Sequence, residues 1–174
     1  VLADPSDGAA LDALLRALDA SLVVLAGYLK LVPAAVTRRF AGRMLNVHPA
    51  LLPAFGGHGM YGMRVHRAVL AAGARVSGPT VHFVDEMYDR GPIVAQWPVP
   101  VSSLDTPESL AARVLRAEHL LLPRAVQAVA RGDVRLDADG RVVGAFALPP
   151  EAPPFTLGDP ATVAPAIDTA FPSS

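Results

Sequence analysis

The chain has 174 residues, 52% hydrophobic and 18% charged, a balance that supports one domain with a real core and excludes a disordered polar tract or a charge-rich coiled coil. Fifteen Lys and Arg against sixteen Asp and Glu leave a formal charge of -1 with the basic residues scattered, which argues against nucleic acid as a partner. The absence of cysteine removes disulfides and thiolate chemistry and suits a reducing, cytoplasmic setting; the longest apolar stretch, around Leu22 to Ala26, falls far short of the roughly 20 residues of a bilayer span.

The chain opens on Val1, and its first feature is a loop, Ala3 to Gly8, leading into a helix with Leu11, Leu14, Leu15 and Leu18 on one stripe. Such an opening reads as mid-domain sequence. Ser21 to Ala26 is a short apolar run closed by Gly27, the pattern of a central strand buried on both faces of a parallel sheet. Pro33 starts a helix through Phe40, and Arg43 to Val47 forms a second strand with Asn46 and His48 emerging at its carboxyl end. Pro49, Pro53, Gly56, Gly57, Gly59 and Gly62 mark a long loop before a helix from Met63 to Ala72 and a turn at Gly73.

Val76 to Val84 reads as a strand, Asp85 to Gly91 as a loop, Pro92 to Val101 as a strand that tolerates a sheet edge, and Pro107 to Arg131 as a long amphipathic helix. Val134 to Leu136 and Arg141 to Gly144 flank Asp139-Gly140, a two-residue hairpin signal. Alternating strands and helices predict an α/β fold: a mostly parallel twisted sheet, flanking helices and a C-terminal hairpin. The folded domain is expected over 1–146 and an extended Pro-rich tail over 147–174.

Asn46 and His48 lie two apart, so on an extended backbone both side chains leave by one face and can converge on one reacting atom. A carboxamide donates to a developing oxyanion, and an imidazole with an unperturbed pKa of about 6.5 moves a proton at neutral pH. The plainer alternative is that Asn46 caps a turn and His48 is a satisfied structural histidine. A second group, His82 to Pro92, gathers Asp85, Glu86 and Asp89 at a strand exit; Asp85 and Glu86 suit a solvated loop, whereas Asp89 suits orienting a histidine or a water. His66 and His119 fall within helices as packing or surface residues, His58 is a loop residue, and His82 sits inside a strand. Neither HExxH, GxGxxG, a Walker loop nor GxSxG occurs, so a zinc site from His48, His58 and His82, nicotinamide chemistry, phosphoryl transfer and serine hydrolysis all lack their parts.

Asn46-Val47-His48-Pro49-Ala50-Leu51-Leu52-Pro53 and His82-Phe83-Val84-Asp85-Glu86, with Asp89-Arg90-Gly91-Pro92-Ile93, resemble the folate-dependent formyltransferase family. The likeness runs from about Leu22 through Arg113 to His119 and fades by the Asp139-Gly140 hairpin. It implies a Rossmann-like fold and transfer of the formyl group of 10-formyltetrahydrofolate, a cosubstrate, to the amine of glycinamide ribonucleotide in purine synthesis, without a metal. By motif, Asn46 and His48 would stabilise the tetrahedral oxyanion and assist proton transfer, with Asp89 positioning His48 or a relaying water. The folate pocket would fall on Leu25, Tyr28, Leu29, Lys30, Leu31 and Val32 and on the loop carrying Asp85 and Glu86. Glu118 matches a glutamate that hydrogen-bonds the nucleotide's ribose. The implied partners are glycinamide ribonucleotide and folate, with no membrane, in a monomer or homodimer.

Two departures from the family pattern stand out. The family opens with a strand and a Gly-Ser-rich phosphate loop that Val1 to Gly8 does not supply, so that N-terminal segment is expected to be missing. The loop Phe55 to Gly62 is longer and richer in glycine than the common pattern. The rivals are a formyltetrahydrofolate hydrolase, with water as acceptor, and a non-catalytic folate-binding domain; Pro49 and Leu51-Leu52-Pro53 favour the nucleotide enzyme. A tRNA-directed member is disfavoured because Ala54-Phe55-Gly56 stands where an aromatic-Arg-Gly step is usual.

Overall fold

In the computed structural model, which describes residues 7–146, the first helix starts where the Asp7 carboxylate accepts from the amides of Ala9 and Ala10, each at 3.0 Å. This α1 (Gly8–Ala17) is followed by β1 (Val23–Leu25), α2 (Ala34–Arg39), β2 (Met44–His48) and α3 (Met63–Ala71). Then come β3 (Val76–Ser77), β4 (Thr80–Phe83), β5 (Ile93–Gln96), β6 (Val99–Pro100), α4 (Pro107–Arg131), β7 (Val134–Leu136) and β8 (Val142–Gly144). The Pro-rich tail expected over 147–174 lies outside the described residues.

Four strands form one sheet in the order β1-β2-β4-β5. The α/β class holds, but the mostly parallel sheet is corrected to a mixed one: β1 is parallel to β2, whereas β2 with β4 and β4 with β5 are antiparallel. Residues 84–92 are too few for a crossover between parallel strands, which takes a dozen or more, so β5 must return beside β4 in the opposite direction. A second correction concerns Ser21 to Ala26. Among the described residues β1 is an edge strand with Val24 39% exposed, because an apolar run reports a need for burial and says nothing of how many strands flank it.

Val76 to Val84 and Pro92 to Val101 each break in two at the same level instead of running as single strands. Pro79 and Pro98 have no N–H for the ladder, and Gly78 approaches the Trp97 carbonyl so closely that a Cβ would sit 1.8 Å from its oxygen. The Trp97 amide donates to Pro79 O at 3.0 Å across the break, and the ribbon continues as β3 against β6.

Alternation along β2 sorts its side chains. Leu45 and Val47 join the larger core with Val81 and Phe83 of β4, Val65 and Val69 of α3, and Leu110, Val114 and Leu121 of α4. Met44 joins the smaller core with Val36 and Phe40. Asn46 and His48 are in phase with Met44, and their register partners on β4 are His82 and Thr80. Two strands thus bring four polar residues onto one patch of one face.

Helix α4 spans the residues its sequence predicts. Thr106 and Ser109 exchange side-chain and backbone hydrogen bonds, Pro107 occupies the first turn, and Gly132 ends the helix with a φ of 79° that other residues resist. Its stripe Leu110, Val114, Ala117, Leu121, Ala125 and Ala128 is buried; truncating Leu121 to Ala would cost about 2–5 kcal/mol. The hairpin β7–β8 forms around a wider turn than two residues: Asp137 accepts from the amides of Asp139 at 2.9 Å and Arg141 at 2.8 Å.

Candidate active site

The carboxyl end of β2 delivers Asn46 and His48 to a cavity of about 580 Å³. His48 is 3% exposed, and its Nε2–H donates to Phe55 O at 2.8 Å. A carbonyl only accepts, so this partner fixes the ring proton on Nε2 and leaves Nδ1 facing Asp89 Oδ2 at 3.4 Å. Asp89 itself sits in the left-handed region, φ 55°, which a non-glycine residue adopts only when its surroundings hold it there. They do: the Gly57 amide donates to Asp89 Oδ2 at 2.8 Å, and Gly91 lets the chain pass so close to Phe83 that a Cβ would lie 1.8 Å from its carbonyl oxygen.

His82 completes the cluster from β4. Its Nδ1–H donates to Phe83 O at 2.8 Å, so Nε2 is the acceptor and receives the Asn46 Nδ2–H at 3.1 Å. That bond settles which way the Asn46 carboxamide points and keeps its second N–H for another oxygen. Asp89 Oδ1 lies 3.7 Å from His82 Nε2.

Burial pushes His48 below the ordinary imidazole value, against the upward pull of the Asp89 charge and the Phe55 carbonyl. Burial also works to raise Asp89, but the His82 ring, the Gly57 amide and the charges of His48 and His82 outweigh it and hold the carboxyl below its usual range. A neutral imidazole with its Nδ1 lone pair beside a carboxylate is poised to take up a proton there, and the amide beside it is poised to donate to an oxyanion.

The structure brings the expected folate residues Leu25, Tyr28, Leu29, Lys30, Leu31 and Val32 to one side of the cavity, with Asp85 nearby accepting from the Met87 amide at 2.9 Å. Glu86 is not among the residues lining the cavity; its half-exposed carboxylate pairs with Arg38 of α2 at 2.8 Å. Glu118 lines the cavity from α4, and burial pushes its carboxyl above the ordinary value, partly offset by His119. His82 is 2% exposed and bonded within the site, while His58 stands in the glycine-rich loop, edge-on to Tyr88 at 5.6 Å between ring centroids.

The sequence did not reveal that Met60, Tyr61, Arg64, Tyr88 and Leu115 also line the cavity. Nor did it show that His66 does so; 5% exposed, it is a packing residue whose Nδ1 has no hydrogen-bond partner, and burial followed by the His48 charge pushes its pKa down. The available signal was the run of glycines, since Gly57, Gly59 and Gly62 all take positive φ and fold the loop over the cavity. Among the described residues no cluster of three or more His, Asp or Glu side chains is placed to hold a metal ion, and no helix is long and apolar enough to cross a membrane.

Helices on both faces of a sheet, with an amide, an imidazole and a carboxylate converging at a strand's carboxyl end beside a cavity, define a Rossmann-like α/β domain with a candidate site at its strand ends. The chain belongs to the formyl transferase family, whose "Formyl transferase" model matches residues 5–126. It is 52% identical over 140 residues to phosphoribosylglycinamide formyltransferase, chloroplastic, of Arabidopsis thaliana, covering 79% of this chain and 48% of that protein. Glycinamide ribonucleotide transformylase 1 from Symbiobacterium toebii superposes with a TM-score of 0.70 at 42% identity, covering 78% of this chain and 61% of that one. A formyltetrahydrofolate deformylase from Pseudomonas syringae pv. tomato superposes with a TM-score of 0.71 at 30% identity, over 81% of this chain and 47% of that one. The chain spans 48% and 40% of the length of the Arabidopsis thaliana and Vigna unguiculata relatives, and 13% of the trifunctional purine biosynthetic protein adenosine-3 of Bos taurus.

Proposed function

We propose that the protein transfers the formyl group of 10-formyltetrahydrofolate to the amine of glycinamide ribonucleotide, a step of purine biosynthesis. The observation that carries this is the convergence of Asn46, His48, His82 and Asp89 at the wall of one cavity, with Asn46 bonded to His82 and both rings within 3.7 Å of the Asp89 carboxylate, in a chain 52% identical to a relative of that name.

The amine attacks the formyl carbon, and the carbonyl electron pair moves onto oxygen. Asn46 Nδ2–H stabilises that oxyanion, and His48 adds its charge once its Nδ1 has taken up a proton. The proton released from the amine passes through water to the Asp89–His48 pair, whose Nδ1 and Oδ2 stand 3.4 Å apart. Collapse of the intermediate breaks the bond to the folate nitrogen, which leaves with a proton as tetrahydrofolate. Every step is a direct transfer, with no covalent enzyme intermediate and no metal. The folate lies along Leu25 and 28–32 with Asp85, and Glu118 hydrogen-bonds the ribose. In this reading residues 1–146 are the formyltransferase domain, acting as a monomer or homodimer in the cytoplasm, a setting that the lack of cysteine suits.

Loss of the formyl group from 10-formyltetrahydrofolate, followed by absorbance with and without glycinamide ribonucleotide, tests this. Nucleotide-dependent loss is the expected result. Equal loss without nucleotide would make the protein a hydrolase, the activity for which the structurally similar deformylase is named. Folate binding without loss would make it a binding domain.

A further inference from the structure

On the face that carries the site, His48 of β2, Thr80 of β4 and Gln96 of β5 form one row of register partners across three strands. Thr80 is fully buried, yet every hydrogen-bonding position of its hydroxyl is used. The Oγ1–H donates to Ala50 O at 2.7 Å, and Oγ1 accepts from the Leu52 amide at 3.0 Å and from Gln96 Nε2 at 3.0 Å. Gln96 Nε2 also donates to Leu52 O at 2.9 Å. The segment just beyond His48 is therefore gripped by two side chains. Pro49 and Pro53 on either side of it have no N–H to contribute.

What this grip holds in place is the pair of contacts that define the site. Phe55 O receives the proton of His48 Nε2 at 2.8 Å, and the Gly57 amide reaches Asp89 at 2.8 Å. Between them Gly56 is wedged so tightly that a Cβ would lie 2.4 Å from Leu52 Cδ2 and 3.1 Å from Asp89 Cβ. Gly56 thus has no room for a side chain there, and the backbone that carries Phe55 O and the Gly57 amide runs close beside the clamped Leu52. Without the Phe55 carbonyl at Nε2, the His48 proton would be drawn to Nδ1 beside Asp89, reversing which ring nitrogen donates.

We propose that Thr80 and Gln96 are positioning residues that fix the tautomer and aim of His48 by clamping residues 50–52. In its kinetic part this rests on the formyl-transfer function, whereas the tautomer can be read without any turnover. Thr80→Val keeps the shape and removes the hydroxyl, Thr80→Ser keeps the hydroxyl, and Gln96→Met removes the second clamp. The measurements are kcat and KM for both substrates, and the ¹⁵N spectrum of the His48 ring, assigned by its loss in His48→Gln. Thr80→Val should lower kcat by about tenfold to a hundredfold with KM changed less than about twofold, and should shift the His48 nitrogens toward the other tautomer. Thr80→Ser should restore both, and Gln96→Met should move both by a smaller amount. If Thr80→Val does not fold, Gln96→Met decides alone. Unchanged His48 nitrogens in the folded variants, or no recovery in Thr80→Ser, would overturn the proposal. A wild-type protein with no formyl transfer would sink the function while the spectrum still judged the clamp.

Discussion

The two halves of the loop between β2 and α3 are held in opposite ways. Residues 50–56 are fixed from below by Thr80 and Gln96, and from the side by Gly56 wedged between Leu52 and Asp89. Beyond Gly57, residues 58–62 rest on backbone turns such as Met60 N–H to Gly57 O at 3.1 Å, on Met60 packed against the larger core, and on ring contacts: His58 against Tyr88, and the Arg64 guanidinium 4.9 Å from the Tyr61 ring centre. The first half carries the carbonyl that holds His48, and the second half lines the cavity. Rate should therefore depend on the first, and substrate binding on the second.

The strongest way to break that division is to remove the groups that adjoin the first half. His48→Ala and Asp89→Ala should each cost about 10²–10⁴-fold in kcat, measured in the steady state, with near wild-type turnover in either variant disproving the assigned roles. Gly56→Ala comes next: its methyl, 2.4 Å from Leu52 Cδ2, should cost about 1–3 kcal/mol in a denaturant titration and lower kcat with it. On the other side of the comparison, Tyr61→Ala and His58→Ala should raise KM by up to about tenfold, the worth of one aromatic contact, and leave kcat nearly unchanged. A loss confined to kcat there would erase the distinction.

The smallest effect is on stability against pH. His48 and His66 have lowered pKa values in the folded protein, so below the ordinary imidazole value of 6.5 the unfolded chain binds more protons and stability falls with acid. Asp89, lowered from 3.8, acts in the same sense further down: its contribution is complete above that value and is lost as pH falls through the folded one. The melting temperature should drop by a few degrees between pH 7 and pH 5, and His66→Phe should flatten the slope. A melting temperature that rises on acidification would contradict the buried, neutral state of both rings.

The features legible in the sequence are those with local causes. The limits of α4 follow from Thr106-Pro107 at one end and Gly132 at the other, and the shared face of Asn46 and His48 follows from the two-residue period of a strand. Asp89 stood out through its place before Arg90-Gly91-Pro92, as the family resemblance also implied. What stayed hidden depends on partners far away in the chain. The double break at Pro79 and Pro98 needs the register of β4 against β5, and the ion pair of Glu86 needs Arg38, which lies on a different element. Thr80 looks like any β-branched strand residue until Ala50, Leu52 and Gln96 are placed around it.

The prolines of the β5–β6 ribbon have one more consequence. The amides of Trp97 and Val101 point inward, donating to Pro79 O at 3.0 Å and Arg75 O at 2.9 Å, so alternation turns the backbone nitrogens of residues 98 and 100 outward. Both are proline, and Pro92 stands just before β5. A strand from a neighbouring molecule arriving at residues 98–100 finds carbonyls but no outward N–H there with which to begin a ladder. The same residues that bend the ribbon thereby make its β6 stretch a poor template for strand addition, a property written into the backbone rather than into surface charge.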